Sequence, residues 1–401
     1  MRSIGVKAER KGRKMEREIY LDNSATTKPY DEVLDLIDHI NRNIYGNPSS
    51  LHTKGIEAER LIRDAREIIA RSLRVSRSEV YFTSGGTEAN NLAIMGYLYA
   101  NLRKGRHIIT TKTEHPSILE VFEYMCGNGY AVDYLDVDED GLINIDDIGE
   151  LIKEDTSLIS ILYVNNETGA VQPIDDIALL KNKIKKDVVL HIDAVQAYGK
   201  LKIIPQNQGI DMLSISSHKI HGPKGIGALY VNKNIRVEPL IFGGGQENLL
   251  RSGTENVSGI CGFGKAADIT FKQIDESEGH CQDIKTFFIK KLKADIGDIR
   301  IISSKDSSPY ILNVSFPGIH AEVLLHHLGE QNIFVSTGAA CSSKKRIHSH
   351  VLKAMGLSPD LIGGAIRFSF SFSNTQEDII KTVGAIKDIL PKIKIRHGGR
   401  R

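Results

Sequence analysis

At 401 residues, 41% hydrophobic and 25% charged, the chain has the composition of an ordinary globular protein, long enough for one large domain and a smaller one. Its 52 Lys and Arg against 50 Asp and Glu leave a net charge of +2, which argues against a surface built for nucleic acid or membrane. No stretch approaches the roughly 18 unbroken apolar residues of a membrane span. The four cysteines are far apart and form no Cys-x-x-Cys pair, which argues against a disulfide framework or a zinc site and fits a reducing cytoplasm.

Residues 1–18 read as a disordered basic extension without the apolar segment of a secretory signal. Ile19-Tyr20-Leu21 is a short strand running into the polar loop 22–27, and a helix is expected over 31–43. The turn cluster Tyr45-Gly46-Asn47-Pro48-Ser49-Ser50 precedes a second helix, 53–73. Strand 80–83 leads through Ser84-Gly85-Gly86-Thr87 into a helix over 88–102. Strands at 107–111, 131–135, 158–164 and 188–193 then alternate with helices near 116–126, 146–153 and 174–185. Such alternation predicts an α/β fold with a mostly parallel sheet flanked by helices. After about residue 270 the pattern changes to helix 271–295, strands near 300–315, helix 320–329 and a terminal helix 376–391, which predicts a smaller α+β domain. The expected division is a large domain over 28–270, a small one made of 19–27 with 271–395, and a basic tail at 396–401.

Several stretches carry candidate chemistry. The apolar run Met212-Leu213-Ser214-Ile215 ends in Ser216-Ser217-His218-Lys219, before the turn Gly222-Pro223. It is either a plain hairpin with an exposed lysine or the site of a Schiff-base lysine holding a phosphorylated aldehyde. Extended geometry would set Ser216 and His218 on one side and Lys219 on the other. Gly86 and Thr87 open a helix after a strand, as a capped loop or an anion site. His115, between a strand and Pro116, is a structural histidine, a lid over a ring or a general acid/base. Asp193 ends a central strand, where α/β sheets bind ligands; it either caps a helix or pairs with a pyridine nitrogen, with Gln196 three residues on. Residues 243–256 form a polar loop. Arg367 is an edge-strand charge or a clamp for a carboxylate. Cys341 lies among small and polar residues and is followed by Lys344-Lys345-Arg346, which favours its thiolate and marks it as a nucleophile.

The combination resembles the cysteine desulfurases of the NifS/IscS type, in the class-V aminotransferase group of pyridoxal 5'-phosphate enzymes. The matching stretches are 20–27, 45–50, 83–88, 113–117, 164–169, Asp193-Ala194-Val195-Gln196, Ser216-Ser217-His218-Lys219, 251–256 and Gly338-Ala339-Ala340-Cys341-Ser342-Ser343, with Arg367. The resemblance implies the pyridoxal-phosphate fold type I, with a seven-stranded, mostly parallel sheet. It assigns the Schiff base to Lys219, the pyridinium nitrogen to Asp193 and the ring hydroxyl to Gln196. His115 would stack over the ring with Asn166 beside it. Gly86, Thr87, Ser216 and His218 would hold the phosphate, joined by Thr254 from the second copy of a homodimer. Asn47 and Arg367 would hold the substrate carboxylate.

The implied reaction takes sulfur from L-cysteine, leaving L-alanine and a Cys341 persulfide. An acceptor protein, either an iron–sulfur scaffold or a thiolation enzyme, would then receive the sulfur. A selenocysteine lyase or an aminotransferase on the same scaffold is one alternative, and a non-catalytic sulfur-relay scaffold another. Neither direct nucleic-acid binding nor a membrane is implied. The chain departs from the family where Ser369-Phe370-Ser371-Phe372 stands in place of a glycine common after Arg367. Thr337 and Ala339 likewise replace serines common in the cysteine loop.

Overall fold

The computed structural model describes residues 17–337 and 349–394. Cys341, the Lys344-Lys345-Arg346 cluster, most of the basic extension and the tail lie outside the described residues.

The N-terminal strand β1 (Ile19–Tyr20) is followed by β2 (Val80–Thr83), β3 (His107–Thr111), β4 (Ala131–Leu135), β5 (Thr156–Leu162), β6 (Val189–Asp193), β7 (Met212–Ser216) and β8 (Gly227–Val231). The last seven form one sheet in the order β2-β8-β7-β6-β5-β3-β4. Every neighbouring pair is parallel except the two made by β8. The mostly parallel seven-stranded sheet expected from the sequence is therefore present. β5, β6 and β7 are buried along their whole length, as strands covered by helices on both faces must be. The edge strand β4 keeps its first residue exposed, and its Asp133 takes Lys153 at 2.8 Å.

Helix Thr53–Leu73 buries Ala58, Ile62, Ala65, Ile69 and Leu73, a stripe at helical spacing. It packs on helix Val257–Lys272, where a Cβ on Gly264 would come within 2.9 Å of Ala65 Cβ. The single helix expected over 271–295 is in fact the end of Val257–Lys272 followed, after Gln273, by Ile274–Asp295. The Gly264 position in the first of these is what lets it approach helix Thr53–Leu73 so closely.

Beyond these helices lie β9 (Arg300–Ile301), β10 (Ile311–Ser315), β11 (Ile333–Phe334) and β12 (Ala365–Ser369). β12-β10-β9 form an antiparallel sheet, and β1 pairs in parallel with β11, so the first strand joins the last third of the chain. One hydrophobic cluster runs from Leu213 of β7 to Val314 of β10 and Ile386 of the terminal helix Gln376–Ile393. No helix among the described residues is long and apolar enough to cross a membrane. Because β2, β3, β5, β6 and β7 run the same way, the residues that follow them gather along one edge of the sheet.

Candidate active site

That edge brings together most of the candidate residues. After β7 the chain does not stay extended: Ser217–Lys219 form a 3-10 turn. The two-sided alternation expected of Ser216, His218 and Lys219 therefore fails, because the turn ends the strand geometry at Ser216. The turn directs Lys219 Nζ to the carbonyls of Ser24 and Ala25, the latter at 2.9 Å. These carbonyls belong to the polar loop after β1. Gln196 Nε2 donates to the same Ser24 carbonyl at 2.8 Å, so one backbone oxygen holds both side chains.

Asp193, at the end of β6, is 7% exposed. Its Oδ1 accepts from the Val195 backbone at 2.9 Å and its Oδ2 from Asn90 Nδ2 at 2.8 Å. Asn90 Nδ2 also reaches Ser117 Oγ at 2.9 Å, and Ser117 Oγ lies 2.8 Å from His115 Nδ1. A chain of side chains thus ties His115 to Asp193. His115 caps helix Pro116–Gly127, its Nδ1 accepting from the Ser117 backbone at 3.1 Å. An Nδ1 that accepts a backbone N–H leaves the proton of the neutral ring on Nε2. Burial, helped by nearby Lys219 and His350, holds the imidazole below its ordinary range even though Asp193 pulls the other way. The ring is therefore neutral at neutral pH.

Gly86 begins the helix after β2, and a Cβ there would lie 2.6 Å from Val195 Cγ2 and 3.7 Å from Ser216 Cβ. Only a glycine lets the backbone come this close. Thr87 beside it is exposed, while Ser216 Oγ is buried and has no hydrogen-bond partner. His218 is pushed down to about 4, first by burial and then by Lys219, Lys224 and Lys200. The site thus presents a helix start, two hydroxyls and a neutral imidazole, a donor set that suits a phosphate.

Arg367 is buried on β12. Nη1 donates to Asn166 O at 2.9 Å and Nη2 to Asp22 Oδ1 at 2.7 Å, while Nε is buried without an acceptor. Ser369 does not loosen this strand. Its Oγ accepts from the Ser24 backbone at 2.8 Å and its carbonyl from Asn23 Nδ2 at 2.9 Å, locking the polar loop in place.

A model of the aminotransferase class-V family matches residues 19–381. The chain belongs to that family. This class-V chain is 40% identical over 381 residues to a protein of Dictyoglomus turgidum named cysteine desulfurase IscS, covering 95% of this chain and 96% of that one. A solved structure titled NifS-like protein superposes with a TM-score of 0.89 at 38% identity, over 94% of this chain and all of the other. A second, titled SspA in complex with cysteine, gives a TM-score of 0.78 at 36% identity, over 88% and 98%.

Two expected site residues stand apart in this class-V chain. Asn47 is exposed, and its Oδ1 closes a turn on the Ser49 backbone at 2.9 Å. Thr254 is exposed and borders a cavity of about 170 Å³ with Ser84, Gly225 and Arg251. Neither hydrogen-bonds another candidate residue among the described residues. The segment that holds Cys341 leaves and re-enters the described residues beside the site. Before it, Ser336 O accepts from the Arg367 backbone at 2.6 Å; after it, Ser349 Oγ donates to Glu167 Oε2 at 2.5 Å and His350 Nε2 lies 2.9 Å from Glu114 O.

Sequence reasoning missed Asn90, Ser117, Asp22, Ser24 and Lys200. Asn90 and Ser117 sit inside ordinary helix-start patterns, and nothing in their spacing announces partners 103 and 27 residues away.

Proposed function

We propose that this chain is a cysteine desulfurase that uses pyridoxal 5'-phosphate, converting L-cysteine to L-alanine and passing the sulfur through a Cys341 persulfide to an acceptor protein. The observation that carries the reading is the joining of Lys219, Gln196, Asp193 and His115 by two short hydrogen-bonded chains at the strand ends, in a chain 40% identical to a named desulfurase. When bound, the cofactor supplies an electron sink that stabilises negative charge at the substrate Cα.

Lys219 offers the amine that carries the cofactor, and Asp193, an acceptor-only carboxylate, keeps a proton on the ring nitrogen. Gln196 donates to the ring hydroxyl, with Asn166 beside it. Gly86, Thr87, Ser216 and His218 hold the phosphate; the unpartnered Ser216 hydroxyl and the close backbone at Gly86 support this. His115, neutral with its proton on Nε2, covers the ring and moves protons between substrate atoms. Arg367, whose Nε lacks an acceptor, holds the substrate carboxylate together with Asn47. Cys341 takes the sulfur: the substrate C–S bond breaks, an S–S bond forms, and the hydrogen lost from the thiols ends on the methyl of alanine. Both edges of its segment border the site, which supports this role.

A second copy of the chain completes the site by bringing Thr254 to the phosphate. The exposed Tyr45, Leu51, Phe242 and Leu249 support such a homodimer. A groove of about 510 Å³ is lined by residues 48–49 and 244–248. We place the protein in the cytoplasm, where its cysteines stay reduced.

Incubation of the full chain with pyridoxal 5'-phosphate, L-cysteine and a reductant tests the reading. Alanine and sulfide should form in equal amounts, and the protein should be yellow. Lys219→Ala should lose the colour, and Cys341→Ser should keep it but release no sulfide. Undiminished sulfide from Cys341→Ser would remove that residue from the reaction. Turnover of selenocysteine in preference to cysteine would reassign the substrate.

A further inference from the structure

Lys200 is buried, 7% exposed, four residues beyond Gln196. Among the described residues no carboxylate is found to act on it, and its side-chain hydrogen bond runs from Nζ to Gln196 Oε1, at 3.0 Å. The ammonium also stands 5.7 Å from the centre of the Tyr310 ring. It lines a cavity of about 30 Å³ together with Lys219, Tyr30, His221 and Tyr310, an opening large enough for a water molecule. The charge that acts on it most is that of Lys219, which is repulsive; the Cys281 thiol on helix Ile274–Asp295 pulls the other way, and Arg367 adds a smaller repulsion.

A lysine placed this deep among other cations detracts from stability, and replacement by an apolar residue of similar length would be expected to help folding. Its presence is explained by what it does to Gln196. An amide side chain has two ends of nearly equal shape, one a donor and one an acceptor. Lys200 donates to the Oε1 end while Ser24 O accepts from the Nε2 end at 2.8 Å. The two contacts select the same orientation from opposite sides. A flipped amide would set its NH2 against an ammonium and its oxygen against a carbonyl.

We propose that Lys200 is a positioning residue for cofactor binding: by fixing the Gln196 amide it ensures that only the NH2 end is offered to the site. This rests on the assignment of pyridoxal 5'-phosphate made above. It gives the buried lysine a role through Gln196 and not through contact with substrate. Burial first, and then the repulsion of Lys219, pushes the amine down to about 7. A neutral amine still donates, so the contact survives on either side of that pH.

The test is a double-mutant cycle on the full chain stripped of cofactor: wild type, Lys200→Met, Gln196→Ala and the double variant. Three readouts are taken: the Kd for pyridoxal 5'-phosphate, the position of the visible band, and Tm. Lys200→Met should weaken binding about five- to tenfold, a loss of order 1 kcal/mol for one hydrogen bond, and move the band while leaving Tm level or higher. The double variant should bind no worse than Gln196→Ala alone. Lys200→Gln, which keeps a donor, should restore much of the affinity. A double variant weaker than Gln196→Ala by the full Lys200→Met factor would overturn the proposal, as would a Lys200→Met protein changed only in Tm. A wild type that fails to bind the cofactor would overturn the cofactor assignment as well; independent effects in a wild type that does bind it overturn the role of Lys200 alone.

Discussion

Replacing Glu114 with glutamine should make the protein's stability less dependent on pH between about 5 and 8. Glu114 is fully buried, and its Oε1 accepts from the Leu162 backbone at 3.0 Å and from Thr111 Oγ1 at 2.8 Å, while Oε2 has no partner. Burial outweighs those two donors and raises the carboxyl from 4.5 to about 8, with Asp193 adding to the rise. Between those values the folded protein keeps a proton that the unfolded chain has released. The resulting stabilisation is complete below the ordinary carboxylate range and is lost as pH climbs through about 8. At about 1.4 kcal/mol for each pH unit, the loss across the window is roughly 5 kcal/mol. The amide of the Glu114→Gln variant would keep an oxygen for Leu162 and Thr111 and would not titrate. The assay is the urea midpoint of the full chain at several pH values from 5 to 9, for both proteins. Every other titrating group is common to the two and cancels in the difference. The wild-type curve should fall relative to the variant by several kcal/mol toward pH 8. Parallel curves would refute the reasoning, since they would mean that Glu114 carries the same proton count folded and unfolded.

Two further substitutions test the scaffold of the site. Asn90→Leu removes one hydrogen bond to a carboxylate and one to a hydroxyl; it should cost about 2–4 kcal/mol in urea unfolding and weaken cofactor binding. Arg66→Met breaks a two-pronged ion pair with Glu247, at 2.6 and 2.7 Å, and lifts a guanidinium off the Phe82 ring. Because Glu247 is buried, the loss should be about 3–5 kcal/mol, and adding Glu247→Gln should recover much of it.

The large sheet was legible because each strand is a short apolar run that breaks into polar residues at its carboxyl end, as at Asp193 and Ser216. That pattern is local. Lys219 was legible as a residue but not as a direction, since nothing in Ser216-Ser217-His218-Lys219 distinguishes a continuing strand from a 3-10 turn. Helix Val257–Lys272 was hidden for a physical reason: Gly259, Gly262 and Gly264 look like breakers when read singly. In the fold, a Cβ on Gly262 would come within 2.9 Å of Ile37 and one on Gly264 within 2.9 Å of Ala65, so these two serve packing, while Gly259 makes room for the Asn256 cap. The contacts that finish the site were out of reach because they join distant segments: Gln196 and Lys219 to Ser24, 172 and 195 residues away.

The Ser24 carbonyl, which receives both Lys219 and Gln196, has a further consequence for the order in which the protein is made. Ser24 leaves the ribosome 345 residues before Ser369, whose hydroxyl accepts from the Ser24 backbone and whose carbonyl accepts from Asn23 Nδ2. Until β12 is synthesised, the loop that carries this acceptor has its Thr27 contacts with His218 and His221 but lacks those with Ser369, although the seven-stranded sheet is already complete at Val231. Cofactor capture on a nascent chain should therefore wait for β12. A ribosome-stalled chain ending before Ala365 would carry the sheet and the lysine but not the yellow colour.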